Sequence, residues 1–129
     1  MIYVPDTHAL IWYIIGDARL GQNALLVLRD PSQHLVIPTI VLAEIRYLSA
    51  RRRIPLTFEE AMRMIRSVLR GEIAPLDGEI VEAMPTMLEI HDAIICATAL
   101  VYSRRFNDSV AVITRDESIT SSGLVQVVW

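Results

Sequence analysis

A chain of 129 residues with a single cysteine can bury one core, needs no disulfide or structural metal to fold, and leaves no room for a second core. A net charge of −3 and the complete absence of lysine exclude wholesale electrostatic wrapping of nucleic acid, so any phosphate contact falls to local arginines. The longest apolar stretch, Ala93 to Tyr102, is well short of the roughly 18 residues that suggest a spanning helix.

The opening Met1-Ile2-Tyr3-Val4-Pro5-Asp6 lacks a basic n-region, and the lone thiol Cys96 sits among aliphatics, so a cytoplasmic protein with no membrane segment is expected. Ile2 to Val4 reads as a short strand ended by Pro5, and Thr7 to Ile15 as a helix up to Gly16. A second helix runs from Gln22 to Arg29 and stops at Asp30-Pro31. Leu35-Val36-Ile37 is a strand closed by Pro38, after which Thr39 caps a helix reaching Ala50. Thr57-Phe58-Glu59-Glu60 has capping-box spacing and opens a helix to Arg70, with Gly71 behind it. Ile73 to Leu76 is a strand, and Asp77 caps the next helix. A longer helix spans His91 to Arg105, and strands follow at Val110 to Thr114 and Leu124 to Val128.

Short apolar strands alternating with helices predict an α/β fold with a parallel sheet of about five strands, covered on both faces, in one domain over residues 1–129. In such sheets ligands bind beyond the carboxyl ends of the strands. Asp6 and Asp116 each follow a strand, Glu44 lies in the helix after Leu35 to Ile37, and Asp92 lies in the first turn of its helix. Glu44 falls on the border of the apolar face made by Val41, Ile45 and Leu48, where a carboxylate is partly desolvated and a hard divalent cation would compensate it. Each acid has a plainer reading as a helix cap, a first-turn acid or a solvated side chain. Four of them at equivalent topological positions favour a shared site.

Taken together, Asp6-Thr7-His8-Ala9-Leu10-Ile11-Trp12, Ala43-Glu44-Ile45, Asp92-Ala93-Ile94-Ile95-Cys96-Ala97-Thr98-Ala99 and Thr114-Arg115-Asp116 resemble the PIN domain of VapC-type toxins. The set runs from one end of the chain to the other, and its specificity lies in the whole set and not in any one piece. The resemblance implies a three-layer α/β/α sandwich and a Mg²⁺- or Mn²⁺-dependent endoribonuclease. It makes Asp6, Glu44, Asp92 and Asp116 the metal-binding acids, with Thr114 supporting them, and it implies a homodimer and an antitoxin that occludes the acidic pocket. Two departures stand out: Asp92-Ala93 where many relatives carry Asp-Arg, and Pro5 immediately before Asp6, which threatens to end the first strand early.

On this reading Asp6 and Asp116 are direct ligands, Glu44 and Asp92 serve a second ion or hold waters, and Thr114 orients a neighbour. Rival chemistries lack their parts. His8, His34 and His91 have no zinc-site spacing, and there is no G-x-S-x-G, Walker or G-x-G-x-x-G motif. Two alternatives remain, a non-catalytic RNA- or protein-binding module and a nuclease outside any toxin–antitoxin system. Retention of all four acids favours an enzyme. The arginine clusters Arg51-Arg52-Arg53 and Arg104-Arg105 are candidate RNA contacts, or ordinary charge at helix ends.

Overall fold

The computed structural model describes residues 1–129. Its chain order is β1 (Ile2–Pro5), α1 (Thr7–Ile15), α2 (Gln22–Arg29), β2 (His34–Pro38), α3 (Thr39–Ala50) and α4 (Phe58–Arg63), which runs on as a π-helical turn over Met64–Leu69. Then follow β3 (Glu72–Ala74), α5 (Gly78–Glu82), α6 (Ile90–Phe106), β4 (Val110–Ile113), α7 (Glu117–Ser122) and β5 (Gln126–Val128). The five strands form one parallel sheet in the order β3-β2-β1-β4-β5. Strands β2, β1 and β4 are almost wholly buried, as expected of a parallel sheet covered by helices on both faces, and the architecture is the predicted α/β/α sandwich. Helix α6 packs across β1, β2 and β4, and α3 against β2. No helix is long and apolar enough to cross a membrane.

From β1 the chain adds strands in one direction, to β2 and β3, and then returns to place β4 on the other side of β1. That reversal makes a crevice beyond the carboxyl ends of β1 and β4, the place where open α/β sheets take ligands.

Several local readings need correction. Pro5 does not end β1 early: it lies in register with Ile113, and the next N–H, that of Asp6, donates to the Ile113 carbonyl at 3.0 Å. A terminal strand position tolerates the missing donor of proline. Thr39 is not a cap but the first helical residue of α3. Its hydroxyl accepts instead from the Leu76 N–H at 3.2 Å, tying α3 to the segment after β3. The Thr57/Glu60 capping box forms as predicted, yet the helix it opens loosens into a π turn, and Arg70, not Gly71, closes it in the left-handed region at φ 52°. Strand β3 ends at Ala74 because Pro75 follows. Helix α7, implied in the sequence only by the capping alternative for Asp116, is a short polar turn with only Ile119 buried.

Candidate functional site

Asp6 ends β1 and caps α1. Its Oδ1 accepts from the Ala9 N–H at 2.8 Å, and its Oδ2 accepts from the Thr114 hydroxyl. Asp116 caps α7 in the same way, its Oδ1 accepting from the Ile119 N–H at 3.1 Å. The capping reading therefore holds for both acids, and capping leaves each carboxylate at the same edge of the sheet. Each cap fixes the carboxylate at a helix N-terminus, where the macrodipole favours negative charge. Thr114, fully buried one residue past β4, joins the two: its Oγ1 donates to Asp6 and accepts from the Asp116 N–H at 3.0 Å.

Glu44 comes in from α3. The buried Thr7 hydroxyl donates to its Oε1 at 2.9 Å, which satisfies part of the desolvated carboxylate expected on that helix border. Asp92 enters from the first turn of α6 with no hydrogen-bond donor of its own. Burial, then the negative charges of Asp116, Glu89, Asp6 and Glu44, push its carboxyl up to about 6. Burial also raises Asp6, against the pull of its hydrogen bonds from Thr114 and Ala9. The mutual influence of these groups expresses their convergence on one edge of the sheet. As the side chains stand, no three carboxylates are close enough together to cage an ion. The donor set is nonetheless all hard oxygen, and it suits Mg²⁺ or Mn²⁺ better than soft metals.

The arginine clusters fall in different places. Arg51, the C-cap of α3, lies two turns beyond Glu44, about 10 Å along the axis, with its guanidinium 3.6 Å from the Tyr47 ring. Arg52 and Arg53 are exposed in the turn that follows. Arg104 and Arg105 sit at the other end of α6, about 18 Å along the axis from Asp92, so the structure does not bring them to the acids. Arg105 is committed elsewhere, its Nη2 lying 3.0 Å from Asp77 and 2.8 Å from Glu79.

The structure adds residues that sequence reasoning passed over. Asp6 and Asp116 open into a cleft of about 450 Å³ whose wall includes His8, Trp12, Arg115 and Trp129. Arg115 stands between two motif residues, and Trp12 looks like core. The available signal was spacing: His8 and Trp12 are one turn apart on the helix that Asp6 caps, with ring centroids at 5.4 Å.

Compared with known families, residues 3–121 match the model described as PIN domain. The chain belongs to the PIN-domain family. No curated protein matches it significantly. Among solved structures, this PIN domain is similar to a toxin–antitoxin complex from Klebsiella pneumoniae, with 21% identity over 98% of this chain and 96% of that one and a TM-score of 0.67. It is similar to VapBC2 of Rickettsia felis bound to a promoter DNA fragment, with 16% identity, 99% and 98% coverage and a TM-score of 0.66. FitAcB from Neisseria gonorrhoeae gives 19% identity, 98% and 96% coverage and a TM-score of 0.65. At these identities the likeness speaks for a shared fold.

Proposed function

We propose that this PIN domain is a divalent-metal-dependent endoribonuclease, the toxin of a VapBC-type pair, working in the cytoplasm. The observation that carries the reading is the buried Thr114 hydroxyl, which ties Asp6 to Asp116 at the crevice between β1 and β4. Asp6 and Asp116 are the direct ligands of Mg²⁺ or Mn²⁺, and Glu44 and Asp92 complete the negative field. A bound ion supplies Lewis-acid chemistry, lowering the pKa of a water and offsetting the charge that builds on the phosphate. Thr114 and Thr7 each donate a hydrogen bond to an acid, Asp6 and Glu44 respectively, and so orient these carboxylates from the protein side. Without the ion the acids repel an RNA phosphate, and with it the local field is inverted.

An antitoxin partner and a homodimer belong to the same reading. The structures that share the fold include toxin–antitoxin complexes. A groove walled by Ile40, Ala43, Tyr47 and Leu48 runs directly beside Glu44 and offers apolar surface next to the acids.

The reading is tested by incubating purified protein with single-stranded RNA and Mg²⁺ and analysing product ends. A water nucleophile does not use the ribose 2′-OH, so the products carry 5′-phosphate and 3′-hydroxyl ends, and a chelator stops the reaction. A 2′,3′-cyclic phosphate, or cleavage indifferent to chelation, would overturn it.

A further inference from the structure

The cleft beside Asp6 and Asp116 holds side chains to which hydrolysis gives no task. Trp12, only 5% exposed, has the Arg19 guanidinium 4.6 Å and the Arg115 guanidinium 4.5 Å from its ring centroid. Trp129 meets Trp12 edge-on, with centroids 5.8 Å apart and planes at 71°, and lies 6.0 Å from the Arg115 guanidinium. The two arginines differ in what else they do. Arg19 is bidentate to Asp17, its Nε at 3.0 Å and its Nη2 at 2.8 Å. Arg115 is exposed and forms no ion pair, although it adjoins Asp116 in sequence. A guanidinium seated by its face on an indole keeps its edge donors free, and those donors match a phosphate.

The seat of Trp129 is itself built. A Cβ at Gly21 would lie 2.4 Å from the Trp129 carbonyl carbon and 2.6 Å from its indole Cδ1, so only glycine at position 21 lets the indole lie there. The result is a half-buried aromatic ring and an uncommitted cation in a cleft that also contains two of the acids. Its volume of about 450 Å³ is in the range of small-ligand pockets. Glu117 lines the same cleft, so a polyanion is welcomed only where the arginines stand.

We propose that this cleft is a nucleotide subsite for single-stranded RNA: Arg115 binds the phosphate next to the one cut, and the Trp129 indole stacks on the adjoining base. The assignment rests on the nuclease reading above. Stacking of unpaired bases on aromatic side chains is the common mode of single-strand recognition, and it needs a ring with a free face beside a backbone-binding cation.

Trp12 and Trp129 are the only tryptophans, so intrinsic fluorescence reports the cluster directly. In an Asp116→Asn background, which blocks turnover, hexa-adenylate should quench the emission. An abasic hexamer with the same phosphates should bind at least roughly fivefold more weakly and quench little. Arg115→Gln, at an exposed position, should weaken hexa-adenylate binding about tenfold and lower the salt slope by about one in a variant whose melting curve shows it folded. Gly21→Ala displaces Trp129, backbone and indole together, replaces no charged side chain, and should erase the preference for the base-bearing hexamer while keeping the slope. Equal affinity for the two hexamers, or binding that leaves the emission and the Arg115→Gln affinity unchanged, overturns the subsite. RNA cleavage whose KM is unmoved by Arg115→Gln also overturns it and leaves the nuclease reading standing. Base-dependent quenching by a parent protein that cuts no RNA supports the subsite and overturns the nuclease reading.

Discussion

The hydroxyl of Thr114 donates to the carboxylate of Asp6 across 108 residues of sequence, and it accepts at 3.0 Å from the backbone N–H of Asp116. Because Thr114 is fully buried, water cannot take over either bond. One oxygen atom therefore links the Asp6 carboxylate to the Asp116 backbone, in addition to the helix caps that hold each acid.

Thr114→Val keeps the shape and removes that atom, leaving the Asp116 N–H without its acceptor and the Asp6 Oδ2 without its donor, while the Ala9 N–H still holds Oδ1. The expected cost is about 1–3 kcal/mol of stability, read by chemical denaturation. Affinity for Mg²⁺ or Mn²⁺ should fall about 10- to 100-fold. Thr114→Ser, which retains the hydroxyl, should recover most of the metal affinity.

In the absence of divalent ions, the contribution of Asp92 and Asp6 to stability should fall as pH rises from about 4 to about 6. Asp92 is held up at about 6 by burial and by its acidic neighbours, and burial raises Asp6 as well. The folded state thus binds these protons more tightly than the unfolded chain. Their contribution is fully present below the ordinary carboxylate value and is lost as pH passes the folded one. Melting curves in chelator at several pH values check this. Asp92→Asn should show a flatter decline than the parent, and parallel curves would mean that Asp92 does not carry the effect.

Divalent ions should reverse that loss. Binding to the folded state alone stabilises by about 2.7 kcal/mol at a hundredfold excess over Kd, which raises Tm by several degrees. Asp6→Asn should abolish the shift. A Tm indifferent to millimolar Mg²⁺ and Mn²⁺ would mean that the acids do not act together.

The strand-end acids were legible because a parallel sheet sends every strand's carboxyl end to one edge, so Asp6 and Asp116 could be paired from topology alone. Glu44 was legible as a charge on an apolar border, and Thr7 proves to be the donor that compensates it. The arginines were not legible. Adjacency in sequence does not say which end of a helix faces the site, and Arg104-Arg105 lie at the far end of α6 from Asp92. Trp12 reads as core because it is core. Only the fold shows that the ring also seats Arg115.

The two arginine clusters should consequently behave differently. Replacing Arg51, Arg52 and Arg53 with glutamine should reduce RNA affinity and flatten its salt dependence, because Arg51 caps the helix that carries Glu44, two turns from it. Arg105→Gln should leave both unchanged, since its partners are Asp77 and Glu79. Salt-titrated binding in the Asp116→Asn background makes the comparison without consuming substrate.

The most direct test of the central claim is the rate at which the parent and Asp116→Asn cut one synthetic single-stranded RNA across a Mg²⁺ titration. Asp116→Asn keeps the Oδ1 that caps α7 and removes only charge, so the variant should stay folded. If Asp6 and Asp116 hold the ion, the parent saturates with Mg²⁺ and the variant falls at least about 100-fold at every concentration. A folded Asp116→Asn protein that cuts as fast as the parent, with the same Mg²⁺ dependence, would contradict the account.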